Sequence, residues 1–240
     1  FSGSTQEEFA TLMSIFDKED AEVYIADYEH LGVYACRIIV PGMSDIYPAE
    51  DLLLANNSMG AHLRDTLLAL PGSEWEPEEY LALIEQLDDE GLDDFTRVRE
   101  LLGIASGKDN AWYTLRVGEL KSMLALAGGD LDQALIWTEW TQDFNASVLS
   151  PARSNYYRCL QTLLLLAQEP EREAAQYYTA FVKMYGQEAV DAASAAISGE
   201  ERFNGLFAVD ADLKALPAHQ ALLAAYEKLQ AAKRRHWAKA

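Results

Sequence analysis

The residues that first invite a chemical reading are carboxylates. Glu74, Glu76, Glu78, Glu79, Asp88, Asp89, Glu90, Asp93 and Asp94 crowd one short stretch of the chain. Oxygens gathered at that density would suit a hard divalent cation if they converged. An EF-hand loop, however, needs its ligands at fixed alternate positions around a glycine, and that spacing does not occur. The stretch therefore reads as a solvated acidic face, with a second use as a docking surface for a basic protein. His30, His62, His219 and His236 are each isolated in sequence, and no spacing joins them into a triad or a zinc site. Cys36 and Cys159 lie far apart and form no CxxC pair, so both read as small buried thiols in a reducing compartment. There is no glycine-rich phosphate loop. These residues define no catalytic, cofactor-binding or metal-binding constellation. The remaining candidates are aromatic. Trp137, Trp140, Tyr156, Tyr177 and Tyr178 are proposed anchors of a peptide-binding groove. The competing reading places aromatics at such helical spacing in an inter-helix core.

What must position these side chains is a step of 40 residues that recurs once. In the alignment of 119–134 with 159–174, Leu120 matches Leu160, Leu124 matches Leu164, Leu126 matches Leu166, Ala127 matches Ala167 and Ala134 matches Ala174. Trp137 and Tyr177 match as well. Each copy reads as helix, break, helix. Small residues stand where two helices must approach, which points to stacked helical hairpins of the tetratricopeptide kind. Gly128-Gly129 makes the first break and Pro170 the second. Ser150-Pro151 opens the second hairpin as N-cap and first helical residue. The helices are expected over about 112–127, 131–144, 152–168 and 171–185.

The formal net charge of −20 opposes a nucleic-acid surface and an anionic membrane, both of which need clustered Lys and Arg. Half of the 240 residues are apolar, so a sizeable core is available. No apolar run is long enough to span a bilayer. The opening Phe1-Ser-Gly-Ser-Thr5 lacks the charged and hydrophobic parts of a secretory leader, so a cytoplasmic location is expected.

Ahead of the repeat, Ser4-Thr-Gln-Glu7 is a capping box, and Phe9, Leu12, Met13 and Phe16 form a helical stripe behind it. Two strands follow, 22–26 and 33–40, the second stopped by Pro41-Gly42. Two strands and a helix are too few for an independent sheet, so a partner chain or further polypeptide must complete it. From Pro48 onward the pattern is helical. One helix runs from Pro48 towards Leu70, with Leu52, Leu53 and Met59 on its apolar face. Another opens with Pro77, a shorter one carries Phe95, Val98 and Leu102, and an alanine-rich one ends at Gly199. The segment 203–217 reads as a loop with a short helix. A last helix over 219–235, with a stripe of Leu222, Leu223, Tyr226 and Leu229, is expected to cap the stack. The fold class is thus mostly α: a tetratricopeptide-like hairpin stack (48–240) preceded by a helix and two-strand remnant of an α/β domain (1–47).

Val23-Tyr-Ile-Ala-Asp27 followed by Leu31-Gly-Val-Tyr-Ala-Cys-Arg-Ile-Ile-Val-Pro-Gly-Met43 resembles the end of the YcaO domain. That family closes with a strand, a short acidic loop and a strand running into Arg-x-x-Val-Pro-Gly, matched here by Arg37, Val40, Pro41 and Gly42. Ser44-Asp-Ile-Tyr-Pro48 and residues 51–60 extend the similarity towards an enterobacterial branch of the family. The resemblance implies an ATP- and magnesium-using protein that activates a backbone amide oxygen. For that branch it implies an accessory role in β-methylthiolation of a small-subunit ribosomal protein. The family's ATP-binding residues precede the matched segment, so no position of this chain inherits them, and ATP and magnesium are expected only upstream. The proline-rich tail that serves azoline-forming members is replaced here by Arg234-Arg-His-Trp-Ala-Lys-Ala240.

Two classes of function follow. The first is a non-catalytic interaction and assembly module whose partners are the upstream YcaO domain, the ribosomal protein or its methylthiotransferase, or a second copy in a homodimer. The second is an enzyme that binds nucleotide in its own right. A free-standing tetratricopeptide-like scaffold is a further alternative.

Overall fold

The computed structural model describes residues 3–29, 32, 35–40, 44, 60–169, 171–172 and 174–237. Within them the chain is mostly helical, with ten α-helices and one two-stranded sheet. It divides into two compact units, residues 1–57 with 222–240, and residues 58–221.

In the first unit, α1 (Thr5–Lys18) starts at the expected capping box. The Glu7 N–H donates to Ser4 Oγ (3.3 Å), and the Ser4 N–H donates to Glu7 Oε2 (2.7 Å). β1 (Tyr24–Asp27) pairs antiparallel with β2 (Cys36–Ile39), Tyr24 opposite Ile39 and Asp27 opposite Cys36. Phe9, Leu12 and Ile15 of the helix and Tyr24, Ile25 and Ile38 of the ribbon are exposed. Cys36, expected to be buried, is exposed because a two-strand ribbon covers it on neither face. Several expectations lie outside the described residues: His30, Leu31, Val33, Tyr34, Pro41, Gly42, the boundary at Tyr47, and the helix through Pro48, Leu52, Leu53 and Met59. The final helix α10 (Pro217–Trp237) enters this unit at Leu222. Leu222, Leu223 and Tyr226, the stripe expected to cap a stack, are exposed. The apolar periodicity is present without the buried surface it normally signals. The side chain of Leu229 lies outside the described set.

The second unit opens with a turn at Gly60. A Cβ there would stand 2.4 Å from the Leu101 carbonyl oxygen, so only glycine admits the approach. The helix α2 (Arg64–Ala69) is stopped by a 3-10 turn over Leu70–Gly72. The next helix, α3 (Pro77–Asp89), carries proline in its first turn and a Glu76–Glu79 capping box, and buries Tyr80, Leu83, Ile84 and Leu87. A short α4 (Val98–Leu101) follows. The repeat was expected to begin its first helix at Trp112. Instead Ala111–Tyr113 form a 3-10 turn, with the buried Trp112 indole donating to the Phe207 carbonyl (3.1 Å). α5 (Val117–Ala127) begins later and is buried along its whole length.

Gly129, at φ 72°, reverses the chain, and Asp130 caps α6 (Leu131–Asn145) by accepting from the Gln133 N–H (2.9 Å). Ser150 caps α7 (Pro151–Ala167) in the same manner, accepting from the Arg153 N–H (3.2 Å). α8 (Ala174–Tyr185) and α9 (Gln187–Ser198) complete the helices, α9 ending at a left-handed Gly199. The order of packing is α3 on α5, α5 on α6, α6 on α7, and α7 on both α8 and α9.

The 40-residue match holds in the first helix of each pair. Leu120 and Leu160, Leu124 and Leu164, and Leu126 and Leu166 are all buried. It weakens at the ends of those helices, where Ala127 is buried and Ala167 exposed, and in the second helices, where Trp137 is half-buried and Tyr177 exposed. Pro170 lies outside the described residues. The short helix expected within 203–217 is absent. That segment is a series of turns with positive φ at Phe203 (56°) and Leu213 (55°), which anchor buried side chains.

Candidate interaction surface

Three residues of α6 share one face at spacings of three and four: Trp137, Trp140 and Phe144. Phe95, from the loop ahead of α4, joins them. Ring centroids lie 5.2 Å apart for Phe95–Trp140, 5.4 Å for Phe95–Phe144, 5.6 Å for Trp140–Phe144 and 6.3 Å for Trp137–Trp140. Such offset and edge contacts suit the quadrupoles of the rings. Phe95 and Phe144 remain about half exposed, and Ile136 on the same helix is 60% exposed.

The platform has a rigid bed. Gly118 of α5 lies under the Trp140 indole, and a Cβ there would come within 2.6 Å of two ring carbons. The Phe95 loop is laced to the start of α5 by backbone bonds: Val98 N–H to Leu115 O (3.0 Å), Val117 N–H to Thr96 O (3.0 Å) and Gly118 N–H to Asp94 O (3.1 Å). Arg116 places its guanidinium 5.7 Å from the Phe95 ring and donates to the Phe144 carbonyl (3.1 Å) and Asn145 Oδ1 (2.8 Å). Lys121, only 1% exposed, sets its ammonium 4.5 Å from the Trp137 ring and donates to Asp88 and to Asp94 (2.6 Å). The acidic stretch is solvated as expected, each of its nine carboxylates being exposed except the half-buried Asp94, and several of them also hold partners. Asp88 and Asp94 clamp a buried lysine, Glu79 caps α3, and Glu90 takes hydrogen bonds from Gln86 and His62 that hold its carboxyl below its usual pKa.

The other proposed anchors lie elsewhere. Tyr156 is a core residue, because α7 is covered by α6 on one side and by α9 on the other. Its ring meets Tyr157 edge-on at 5.1 Å, and burial pushes both phenols well above their ordinary pKa. It lines a cleft of about 800 Å³ with Lys108, Asn110, Ser150, Arg153 and Gly186. Behind that wall runs a buried charge network that local sequence patterns do not announce. Arg153 Nε donates to Glu119 Oε1 (2.6 Å), and its other nitrogens donate to the Asn204 carbonyl (3.0 Å) and the Tyr157 hydroxyl (3.4 Å). Asn145 Nδ2 donates to Glu119 Oε2 (3.4 Å). Tyr177 and Tyr178 are exposed on α8. Tyr177 stacks on Phe181 (6.1 Å) beside a hollow of about 300 Å³ lined by Thr162, Leu165 and Leu166. The Tyr178 hydroxyl is tied to Gln187 and Asp191. The five sequence candidates thus form no single groove. The α6 platform contains two of them, together with Phe95 and Phe144, which the sequence did not mark as anchors.

Of the remaining candidates, Arg37 is exposed in β2, and Val40 is buried with its N–H on Ser44 Oγ (2.7 Å). His62 pairs with Glu90 (2.9 Å). His219 Nδ1 accepts from the Ala105 N–H (3.1 Å), and burial, aided by the charge of Arg64, holds its pKa below the usual value. Burial pushes the Cys159 thiol up to about 11, which fits an inert core cysteine. Among the described residues no group of three or more His, Cys, Asp or Glu side chains is placed to hold a metal ion, and no helix is long and apolar enough to cross a membrane.

The family follows from two matches. Residues 60–235 match the YcaO cyclodehydratase C-terminal domain, and residues 1–44 match the YcaO cyclodehydratase ATP- and Mg2+-binding domain. The chain belongs to the YcaO family. It is 77% identical over 239 residues to the ribosomal protein S12 methylthiotransferase accessory factor YcaO of Escherichia coli K12, covering 100% of this chain and 41% of that protein. It is 54% identical over 238 residues to an uncharacterized protein of Haemophilus influenzae Rd, covering 99% of this chain and 40% of that protein. The chain therefore spans about two fifths of the length of these relatives. Among the described residues of the ATP- and Mg2+-binding match, no group of carboxylates is placed to hold a metal ion. Its described carboxylates do not converge, Glu22 being tied to the Tyr24 hydroxyl and Asp27 to the Glu29 N–H.

Proposed function

We propose that this chain is the non-catalytic interaction and assembly module of a YcaO protein. The complete protein, on this reading, is an ATP- and magnesium-using accessory factor for methylthiolation of ribosomal protein S12 in the cytoplasm. The observation that carries the assignment is the division of labour among side chains in residues 58–221. The buried charges Glu119, Lys121 and Arg153 are spent on joining helices, while large aromatics on the same scaffold stay exposed. A site built for reaction concentrates titratable groups in a cleft with perturbed pKa values, whereas a site built for recognition presents rigid aromatic area. The exposed faces of α1 and the β1–β2 ribbon fit the same reading, their cover being the upstream YcaO domain to which residues 1–44 are similar. The stacking of α5 through α9 supports a tetratricopeptide-like scaffold, whose usual work is to hold partners.

Isothermal titration of magnesium-ATP into the chain separates this reading from a nucleotide-binding enzyme. No saturable heat is expected. Saturable binding with a Kd below about 1 mM, equivalent to about −4 kcal/mol, overturns it.

A further inference from the structure

The α6 platform is only half used by the fold, and carboxylates flank it on both sides. Exposed Asp143 follows Trp140 by three positions and lies along one flank of the aromatic stripe, whereas Glu139, also exposed, turns to α7 and accepts from Gln161 Nε2 (3.2 Å). Asp94 stands at the other, next to Phe95 in the chain and bound to the lysine beneath Trp137. The protein already fills two cation seats here with its own residues. The Lys121 ammonium lies over an indole between two carboxylates, and the Arg116 guanidinium faces the Phe95 ring. The outward faces of the same rings, and the exposed Asp143 carboxylate, offer this chemistry again to solvent. An aromatic face attracts a cation most strongly when both are partly desolvated, and a lysine or arginine stem covers apolar ring area while its head reaches a carboxylate.

We propose that this platform binds a lysine- and arginine-rich segment of a protein partner. The proposal rests on reading the chain as an interaction module and names the chemistry of what it holds. Charge selects this occupant over the others. A second copy would set one acidic rim against another on chains of formal charge −20, and a phosphate-bearing polymer or lipid would meet the same carboxylates.

The test is fluorescence anisotropy of a labelled peptide of lysine, arginine and leucine titrated with the full chain. A control peptide carries glutamate in place of every basic residue. The basic peptide is expected to bind, to weaken as salt is raised, and to outcompete the control. The double variant Phe95→Ser/Phe144→Ser and the charge reversal Asp143→Lys are each expected to weaken binding about tenfold or more. Asp143 is exposed, so that variant keeps the test decisive if the serine variant melts. Equal affinity for both peptides overturns the proposal. So does basic-peptide binding that neither variant changes, which marks diffuse charge attraction. Sedimentation of the same proteins supplies a third arm. A self-associated chain that Phe95→Ser/Phe144→Ser dissociates, with peptide affinity unchanged, makes the platform an interface between copies. That outcome overturns this proposal while the interaction-module reading stands.

Discussion

Replacing Arg153 by methionine strands a buried carboxylate in the helical unit. The Glu119 side chain has no solvent exposure and that of Arg153 has 9%, with 2.6 Å between Nε and Oε1. Removing the guanidinium leaves a buried carboxylate held by Asn145 at 3.4 Å and the neighbouring Tyr157. Breaking a buried pair from one side costs about 3–5 kcal/mol, most of it the stranded charge. For a unit of this size that corresponds to a fall of roughly 6–20 °C in melting temperature. The stranded-charge account requires that neutralising the survivor restores stability. Adding Glu119→Gln to Arg153→Met is therefore expected to recover at least half of the loss, as an amide keeps the Asn145 contact without the charge. Lys121→Met provides the contrast. The side chains of Asp88 and Asp94 are 54% and 30% exposed and rehydrate when freed, so the cost is expected to be about 1–2 kcal/mol. Urea unfolding followed by tryptophan fluorescence reads all four proteins. A double variant no more stable than Arg153→Met alone, or an Arg153→Met loss smaller than that of Lys121→Met, refutes the reasoning.

Two further outcomes can be checked directly. Gly118→Ala would gain about 1 kcal/mol of helix propensity, but its methyl meets the Trp140 ring at 2.6 Å, so a net loss of about 1–2 kcal/mol is expected by thermal melting, relieved when Trp140 is also replaced by leucine. His219 is held neutral by burial and by Arg64, so its folded pKa lies below the unfolded value of about 6.5. The unfolded chain then binds the extra proton, and the stabilising contribution is present above about pH 6.5 and lost as pH falls through the folded pKa. His219→Asn keeps an acceptor for the Ala105 N–H and is expected to flatten the decline in melting temperature between about pH 7 and about pH 5.

Local signals in the sequence carried helix boundaries well. The Ser4–Glu7 box, Pro77, the Gly128-Gly129 break, Ser150-Pro151 and Gly199 each act through a backbone conformation or an orphan N–H within a few residues, and each is found in place. Partnership over long separations was not legible. Glu119 and Lys121 sit two apart in an apolar run that could have turned a polar edge to water. Their partners Arg153 and Asp88 lie 34 and 33 positions away, and only tertiary packing reveals that α5 is buried all round. Tyr156 and Tyr177 have similar helical spacing and opposite fates, because exposure depends on which neighbour covers the helix. For the same reason the sequence shows Phe95 only as an apolar position of a short helix and gives no mark to Phe144.

The lacing of residues 94–98 to the start of α5 bears on how recognition there would unfold in time. A loop pinned at three backbone points cannot wait in many shapes, so the Phe95 ring stands ready before anything arrives. An incoming chain finds a prepared seat, and whatever ordering the encounter demands falls on the visitor. Variation in residence between different visitors would then report how readily each gives up its own freedom.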